Sequence, residues 1–555
     1  MSPVAPLALQ ANRRTVLKGS LLAIALGAFG TACGSGSSAS SSGSSAGTLV
    51  EAIAAMPGGL AFDSKPGGYE GFEYTLLTGA GLIRNPYVQS PDDPNSLQQD
   101  LYSHEGVLAE SWEVSADGLT YTFHLRPGVV SPAGNPLTAD DVIWSYERKW
   151  NSSSITPSIS LPAITDPATQ LKKIDDLTVS WTIAEPGYGF PLLAVISKIS
   201  GEIYDSVLLK SQATPDDPYA IEWSNINGNF GFGPYVMDSY EDGQQITYSA
   251  SEAFALGKPP VDRIIQRVVP DAGSRASLLQ TGAIDVAVQI LPADVKSMST
   301  NADFTTFDTQ TNNFTWLYMQ TETAPFDNPA VRQALGYAVP FDQIIEQVYQ
   351  GRAYPSVGML DPNLPNRITD GLQTQTYDPA KSLELLAAAG VSTPVSFTVI
   401  ASSAVPDLQD VAVQIQSFGR DAGFDVQIEV LPAATLADRQ GKKAFQAILL
   451  RDMSVSYESP PYSLLLSYSK TNPGRNISSW QDDRYYAAVD AGIAAGDALS
   501  PEAAVHWHEA EMIWQEGKPM IQIANVAPLM VFRKGITGFA HRTDNVVDYT
   551  AVSKP

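Results

Sequence analysis

Two runs of β character, VSFTVIAS (395–402) and FDVQIEVL (424–431), enclose one helical stretch from about Asp407 to Ala422. Strand, helix and strand in that order make a β-α-β unit, in which the crossover helix packs on a sheet face. That unit commits the surrounding chain to a layered α/β architecture. The rest agrees with it. ESWEVSADGLTYTFHLRPG (110–128) alternates Trp112 and Val114 on one arm with Tyr121, Phe123 and Leu125 on the other, and Asp117-Gly118 supplies the turn. PLTADDVIWSYERKW (136–150) reads as a helix capped by Thr138, with Asp140 and Asp141 in the first turn, where the helix dipole favours negative charge. LTVSWTIAEP (177–186) is a strand stopped by Pro186, and GFGPYVMDSYEDGQQITYSA (231–250) is two strands around Glu241-Asp242-Gly243.

Further along, GSRASLLQTGAIDVAVQ (273–289) predicts a short helix stopped at Gly282, then a strand. FDNPAVRQALGYAVPFDQIIEQVYQG (326–351) predicts a helix pair, with Asn328 as cap, Pro340 as the break and Gly351 as the end. YDPAKSLELLAAAG (377–390) repeats the device with Asp378 and Gly390. In SPEAAVHWHEAEMIWQEGKP (500–519), Ala503, Trp507, Ala510 and Trp514 form one apolar stripe, and MIQIANVAPLMVF (520–532) is apolar strand material. The alternation predicts α/β lobes with a β-rich insertion between roughly 80 and 215, and no repeat of about 20 to 50 residues is visible.

A chain of 555 residues exceeds one hydrophobic core, so it divides into several lobes. Apolar residues at 44% and charged residues at 17% give a globular composition. The formal charge of −25, with Lys and Arg never clustered, argues against a nucleic-acid partner, since nothing would replace the counterions on phosphates. A single cysteine, Cys33, excludes an intramolecular disulfide and any cysteine-based zinc or iron–sulfur site, so the fold stands on packing alone.

That cysteine lies between an apolar run and a Ser/Gly tract. NRRTVLKGSLLAIALGAFGTAC (12–33) has a basic head of Arg13, Arg14 and Lys18, then the run from Leu21 to Phe29, too short for a membrane span of about 20 residues. This is an export signal. Arg13-Arg14 followed by Leu17-Lys18 resembles a twin-arginine signal, with the general secretory route as the alternative. Thr31-Ala32-Cys33-Gly34 resembles a bacterial lipoprotein box, which implies cleavage before Cys33 and a diacylglycerol on its sulfur; residues 34–47 are then a flexible tether. The GSSAG at 43–47 matches a hydrolase elbow in letters only, because low-complexity Ser/Gly supplies neither the strand nor the helix which that turn needs.

Chemistry-bearing residues are sparse in pattern. Of the five histidines, His506 and His508 share a helix but point about 200° apart, so they cannot share an ion. No metal or cofactor is expected. Irregular segments near the lobe crossovers offer Trp223, Asn313, Trp316 and Tyr457 as cleft-lining candidates, and Trp507 and Trp514 are expected in the core.

GVLAESWEVSADGLTYTFHLRPGVVSPAGNPLTADDVIWSYER (106–148) resembles the peptide/nickel class of extracellular solute-binding proteins, family 5. Three later blocks share the resemblance: GFGPYVMDSYEDG (231–243) leading to GAIDVA (282–287), APFDNPAVRQALGYAV (324–339) and YDPAKSLELLAAAG (377–390). The resemblance implies a two-lobed periplasmic-binding-protein-like fold of the cluster C type, with an extra β-rich domain inserted in lobe I. The expected division is signal peptide 1–32, lipidated cysteine and tether 33–47, lobe I 48–78, extra domain 79–215, lobe I again 216–311, lobe II 312–515, and lobe I finally 516–555. It also implies a lipid-anchored receptor on the outer face of the bacterial membrane, and a monomer is expected. Such a receptor closes on an oligopeptide and delivers it to the permease of an ABC importer. An oligosaccharide receptor of the same family is the alternative, and an anchored hydrolase lies outside it. Peptide binders of the family follow the strand matching FQAILLRD (445–452) with a tryptophan and then an aspartate for the peptide's amino terminus; Asp452 and Val455 stand at those places, so Asp452 or Glu458 would have to substitute.

Overall fold

The computed structural model describes residues 47–63, 68–453, 457–468 and 476–555; Arg13, Arg14 and Cys33 lie outside them. Two sheets dominate. The first has seven strands in the order Tyr235–Glu241, Gln245–Ala250, Arg263–Val268, Thr48–Ile53, Val286–Ala287, Val531–Arg533 and Phe304–Thr306. Thr48–Ile53 is its parallel centre, and buried Leu49 and Ile53 meet one core while Val50 and Ala52 meet the other. This alternation is what a strand covered on both faces requires.

The second sheet has six strands, Ala353–Tyr354, Met520–Val526, Asn313–Met319, Ala447–Met453, Val395–Ser402 and Phe424–Leu431. The β-α-β unit falls at its edge: Val395–Ser402 and Phe424–Leu431 run parallel, joined by the helix Pro406–Gly419, whose Leu408, Val411, Ala412 and Ile415 are buried against them. The opposite face is covered by Asp483–Ala494 and Pro501–Gly517, with Trp507 and Trp514 buried as the stripe predicts.

A four-stranded antiparallel sheet, Ala109–Val114, Thr120–Leu125, Thr178–Thr182 and Leu171–Asp175, forms the expected β-rich insertion. Its hairpin turns at Gly118, whose φ of +73° suits a residue without a Cβ. The helix Ala139–Trp150 packs on it through Val142 and Tyr146 and begins with the capping box of Thr138 and Asp141.

The helix pair departs from expectation in its second member. Pro329–Ala338 is a regular helix capped by Asn328, but after Pro340 a single helical turn, Phe341–Gln343, widens into a π-turn over Ile344–Val348. The return to lobe I also comes later than residue 516. Met520–Val526 is hydrogen-bonded into the six-stranded sheet, and only Val531–Arg533 lies in the seven-stranded one. The run MIQIANVAPLMVF is apolar throughout, so hydropathy carries no mark of the point where the chain changes sheets. Likewise Tyr87–Gln89 and Leu97–Gln99, placed by sequence in the extra domain, form a small sheet with Ala540–His541 of the last segment.

The chain passes between the sheets at 307–312 and again at 527–530. The two passages are stitched together: Thr311 N donates to Asn525 Oδ1 at 3.0 Å, and Thr311 Oγ1 donates to the Val526 carbonyl at 2.7 Å. Paired short crossovers of this kind make a hinge.

Candidate functional site

Among the described residues, two of the polar ties between the lobes end on a buried carboxylate. In the first, the helix Gly189–Ile196 ends just before Lys198, whose ammonium lies 2.9 Å from Glu458 Oε1; both side chains are completely buried. Lys198 also donates to Asn85 Oδ1 at 2.6 Å, while Glu458 Oε2 has no hydrogen-bond partner among the described residues. Burial drives Lys198 down and Glu458 up in pKa, and each partner's charge opposes that drift.

The second tie joins Tyr102, after the small sheet, to Asp361 in the loop before the helix Pro379–Ala388. Tyr102 Oη donates to Asp361 Oδ2 at 2.7 Å, the Asn363 amide donates to Oδ1 at 2.9 Å, and the Tyr457 hydroxyl also bonds the carboxylate. Burial raises the Asp361 pKa against these donors. Tyr102 is held by stacking on Phe190 at 5.9 Å.

Beside this tie is a cavity of about 130 Å³, walled on the lobe I side by Gln99, Asp100, His541 and Thr543 and on the lobe II side by Asp361 and Tyr457. Burial pushes His541 down to about 4, so its ring is neutral at pH 7 and can offer one donor and one acceptor. The lining is hydrogen-bonding and partly acidic, and among the described residues it contains no nucleophile–base pair. It is suited to holding a polar solute.

The residues singled out from sequence fall in different places. Tyr457 lines the cavity, and Glu458, next to it, forms the interlobe pair. Asp452 has its backbone opposite Phe314 in the six-stranded sheet, and its side chain lies outside the described residues. Asn313 begins the central strand at the crossover, its amide donating to Thr311 Oγ1 at 2.9 Å. Trp316 is buried to 6% exposure in the lobe II core, 5.3 Å from Phe314 between ring centres. Trp223 is half-buried on the helix Ile221–Ile226, packed toward Trp144 and Tyr204 rather than on the cavity. His506 lies 3.9 Å from Glu509 and His508 bonds the Ile368 carbonyl, two separate environments. Among the described residues no group of three or more His, Cys, Asp or Glu could hold a metal ion, and no helix is long and apolar enough to cross a membrane. Tyr102, Lys198, Asp361 and Thr543 carry no sequence signal, because each reaches the site from a separate segment.

Two α/β lobes joined by paired crossovers over a polar cavity between them define a two-lobed solute receptor. Comparison with known proteins agrees. Residues 104–475 match the model for bacterial extracellular solute-binding proteins, family 5 Middle. Heme-binding protein A of Haemophilus influenzae is 34% identical over 300 residues, a match that spans 52% of this chain and only 54% of that protein. The dipeptide-binding protein of Escherichia coli is 26% identical over 468 residues, 79% of this chain and 85% of the relative. Among solved structures, the periplasmic binding protein DppA of Helicobacter pylori in complex with the peptide STSA superposes with a TM-score of 0.75 at 22% identity, covering 92% of this chain and 98% of that one. NikA of Brucella suis in complex with Fe(III)-EDTA gives 0.76 at 17% identity, covering 92% and 100%. The chain belongs to the bacterial extracellular solute-binding proteins of family 5, which are transport receptors and not enzymes.

Proposed function

We propose that the chain is the lipid-anchored receptor of an ABC importer and that it takes short peptides in the interlobe cavity for delivery to the permease. The observation that carries this reading is the cavity itself, with hydrogen-bonding groups from both lobes around a space of about 130 Å³. That is below the roughly 300–1,000 Å³ of drug-sized sites, so it favours a small polar solute over a broad apolar ring system. Dipeptide-binding relatives aligned over most of the chain support the same class. Ligand contacts to both walls stabilise the closed form, and closure is the signal the permease reads. The export signal at Arg13 and Arg14 and the lipobox at Cys33 support an anchor on the outer face of the membrane, and in this reading the receptor acts as a monomer.

Native mass spectrometry of the gently purified receptor tests this. A bound mass that fragments into two or three amino acids is the expected result. A hexose ladder would move the protein to the oligosaccharide branch, and a porphyrin mass would overturn the small-solute reading.

A further inference from the structure

Among the described residues, two polar groups on the lobe I wall of the cavity are left without partners. Gln99 is 5% exposed and its Nε2 makes no hydrogen bond; Thr543 is 2% exposed and its Oγ1 makes none. A buried donor without an acceptor costs about 1–3 kcal/mol, so such groups are rare unless something else satisfies them. The orientation of Gln99 is not interchangeable. Its Oε1 accepts the Thr543 backbone amide at 3.0 Å, which leaves the NH₂ as the end without a partner. Thr543 is pinned from the other side, since its carbonyl accepts Asn312 Nδ2 from the lobe crossover at 2.5 Å. Gln99 and Thr543 therefore hold two covered donors in one wall of the cavity, next to the hinge.

We propose that Gln99 Nε2 and Thr543 Oγ1 together anchor an uncharged carbonyl oxygen of the ligand, an amide carbonyl in a peptide. The inference rests on the peptide reading for the identity of that carbonyl. The oxygen is uncharged because Asp92, Asp100 and Asp361 line the same cavity, and a carboxylate there would face like charges in a partly desolvated space. The neutral His541 ring adds no cation. Closure then brings Asp361 and Tyr457 over the opposite side of the bound amide, where Asp361 is an acceptor for its N–H. One peptide unit spans both walls, which links recognition to closure.

The test uses the full chain with two defined probes, alanyl-alaninamide and dialanine, measured by calorimetry. Gln99→Glu keeps the acceptor for the Thr543 amide and removes the donor; Thr543→Val keeps the shape and removes the hydroxyl. Each variant should bind alanyl-alaninamide at least tenfold more weakly at a temperature where it is folded. The wild type should bind the amide no more weakly than the free acid. Unchanged affinity in both variants, or a tenfold preference for the free acid, overturns the inference. A crystal structure of the receptor as purified decides the subsite even where neither probe binds. A solute oxygen within hydrogen-bond reach of both atoms supports it, and a non-peptide solute there would retire the peptide reading alone. A protein carbonyl or water as their only partner overturns it.

Discussion

The Lys198 ammonium and the Glu458 carboxylate face each other at 2.9 Å across the lobe boundary, with neither side chain reaching solvent. Opening the lobes hydrates both charges; closing them strips both. The pair is therefore a register device for the closed form rather than a large source of stability, because dehydration offsets most of the attraction.

Removing one partner is a different matter. Lys198→Met leaves a buried, unpaired Glu458, and Glu458→Gln strands the ammonium; each should cost about 3–5 kcal/mol of stability. The double variant should recover most of that loss. Urea denaturation of the four proteins completes the cycle, and additive losses would show that the two groups do not interact in solution.

Tyr102→Phe deletes the hydroxyl that ties lobe I to Asp361. A hydrogen bond to a charged acceptor contributes about 1.5–3 kcal/mol, so ligand affinity should fall roughly tenfold to a hundredfold. The phenyl ring keeps its stack on Phe190, so the ligand-free melting temperature should hold. Calorimetric titration beside a melting curve separates the two effects.

The lobe I core carries a second buried acidic site. Gln266 Nε2 donates to Glu51 Oε2 at 2.9 Å and to Glu73 Oε2 at 2.6 Å, and both glutamates are fully buried. Burial pushes Glu51 up to about 7. In the folded chain it keeps a proton that the unfolded chain releases near pH 4.3. Its contribution is complete below that lower value and disappears as pH rises through 7. Glu73, raised by burial and by the Glu51 charge, titrates with it, so between pH 5 and 8 the wild type should lose stability relative to Glu51→Gln. The comparison with the variant is essential, because burial lowers His104 to about 3 and His541 to about 4, and their penalty grows as pH falls. A pH-independent difference between the two proteins would remove Glu51 from the titration.

Trp316 is a core residue of lobe II. Trp316→Ala should cost about 3–5 kcal/mol of stability through loss of buried surface and the cavity left behind. At a temperature where the variant is folded its ligand affinity should match the wild type; a selective loss of binding would return Trp316 to the cleft.

Cys33→Ala should release the exported protein from membranes into the soluble fraction. Fractionation with immunodetection measures this, and full membrane retention of the variant would remove lipid from the anchoring scheme.

Local signals in the chain determined much of this protein. Asp117-Gly118 placed a hairpin, Thr138 and Asp141 began a helix, and the alternation in 395–431 specified a β-α-β unit, because each rests on neighbours within a few residues. The family resemblance was legible for the same reason, being carried by contiguous motifs. The strand MIQIANV could not be assigned to its lobe from sequence, since hydropathy reports burial and not the sheet in which a strand is buried. The site was almost illegible. Trp316 and Tyr457 are both aromatic and both are buried in one core against Phe314, yet only Tyr457 also lines the cavity. Lys198 meets Glu458, Tyr102 meets Asp361, and Gln99 meets Thr543 across hundreds of residues of chain. Only the packing of two lobes sets those distances, and a hydrogen bond depends on position to a fraction of an ångström.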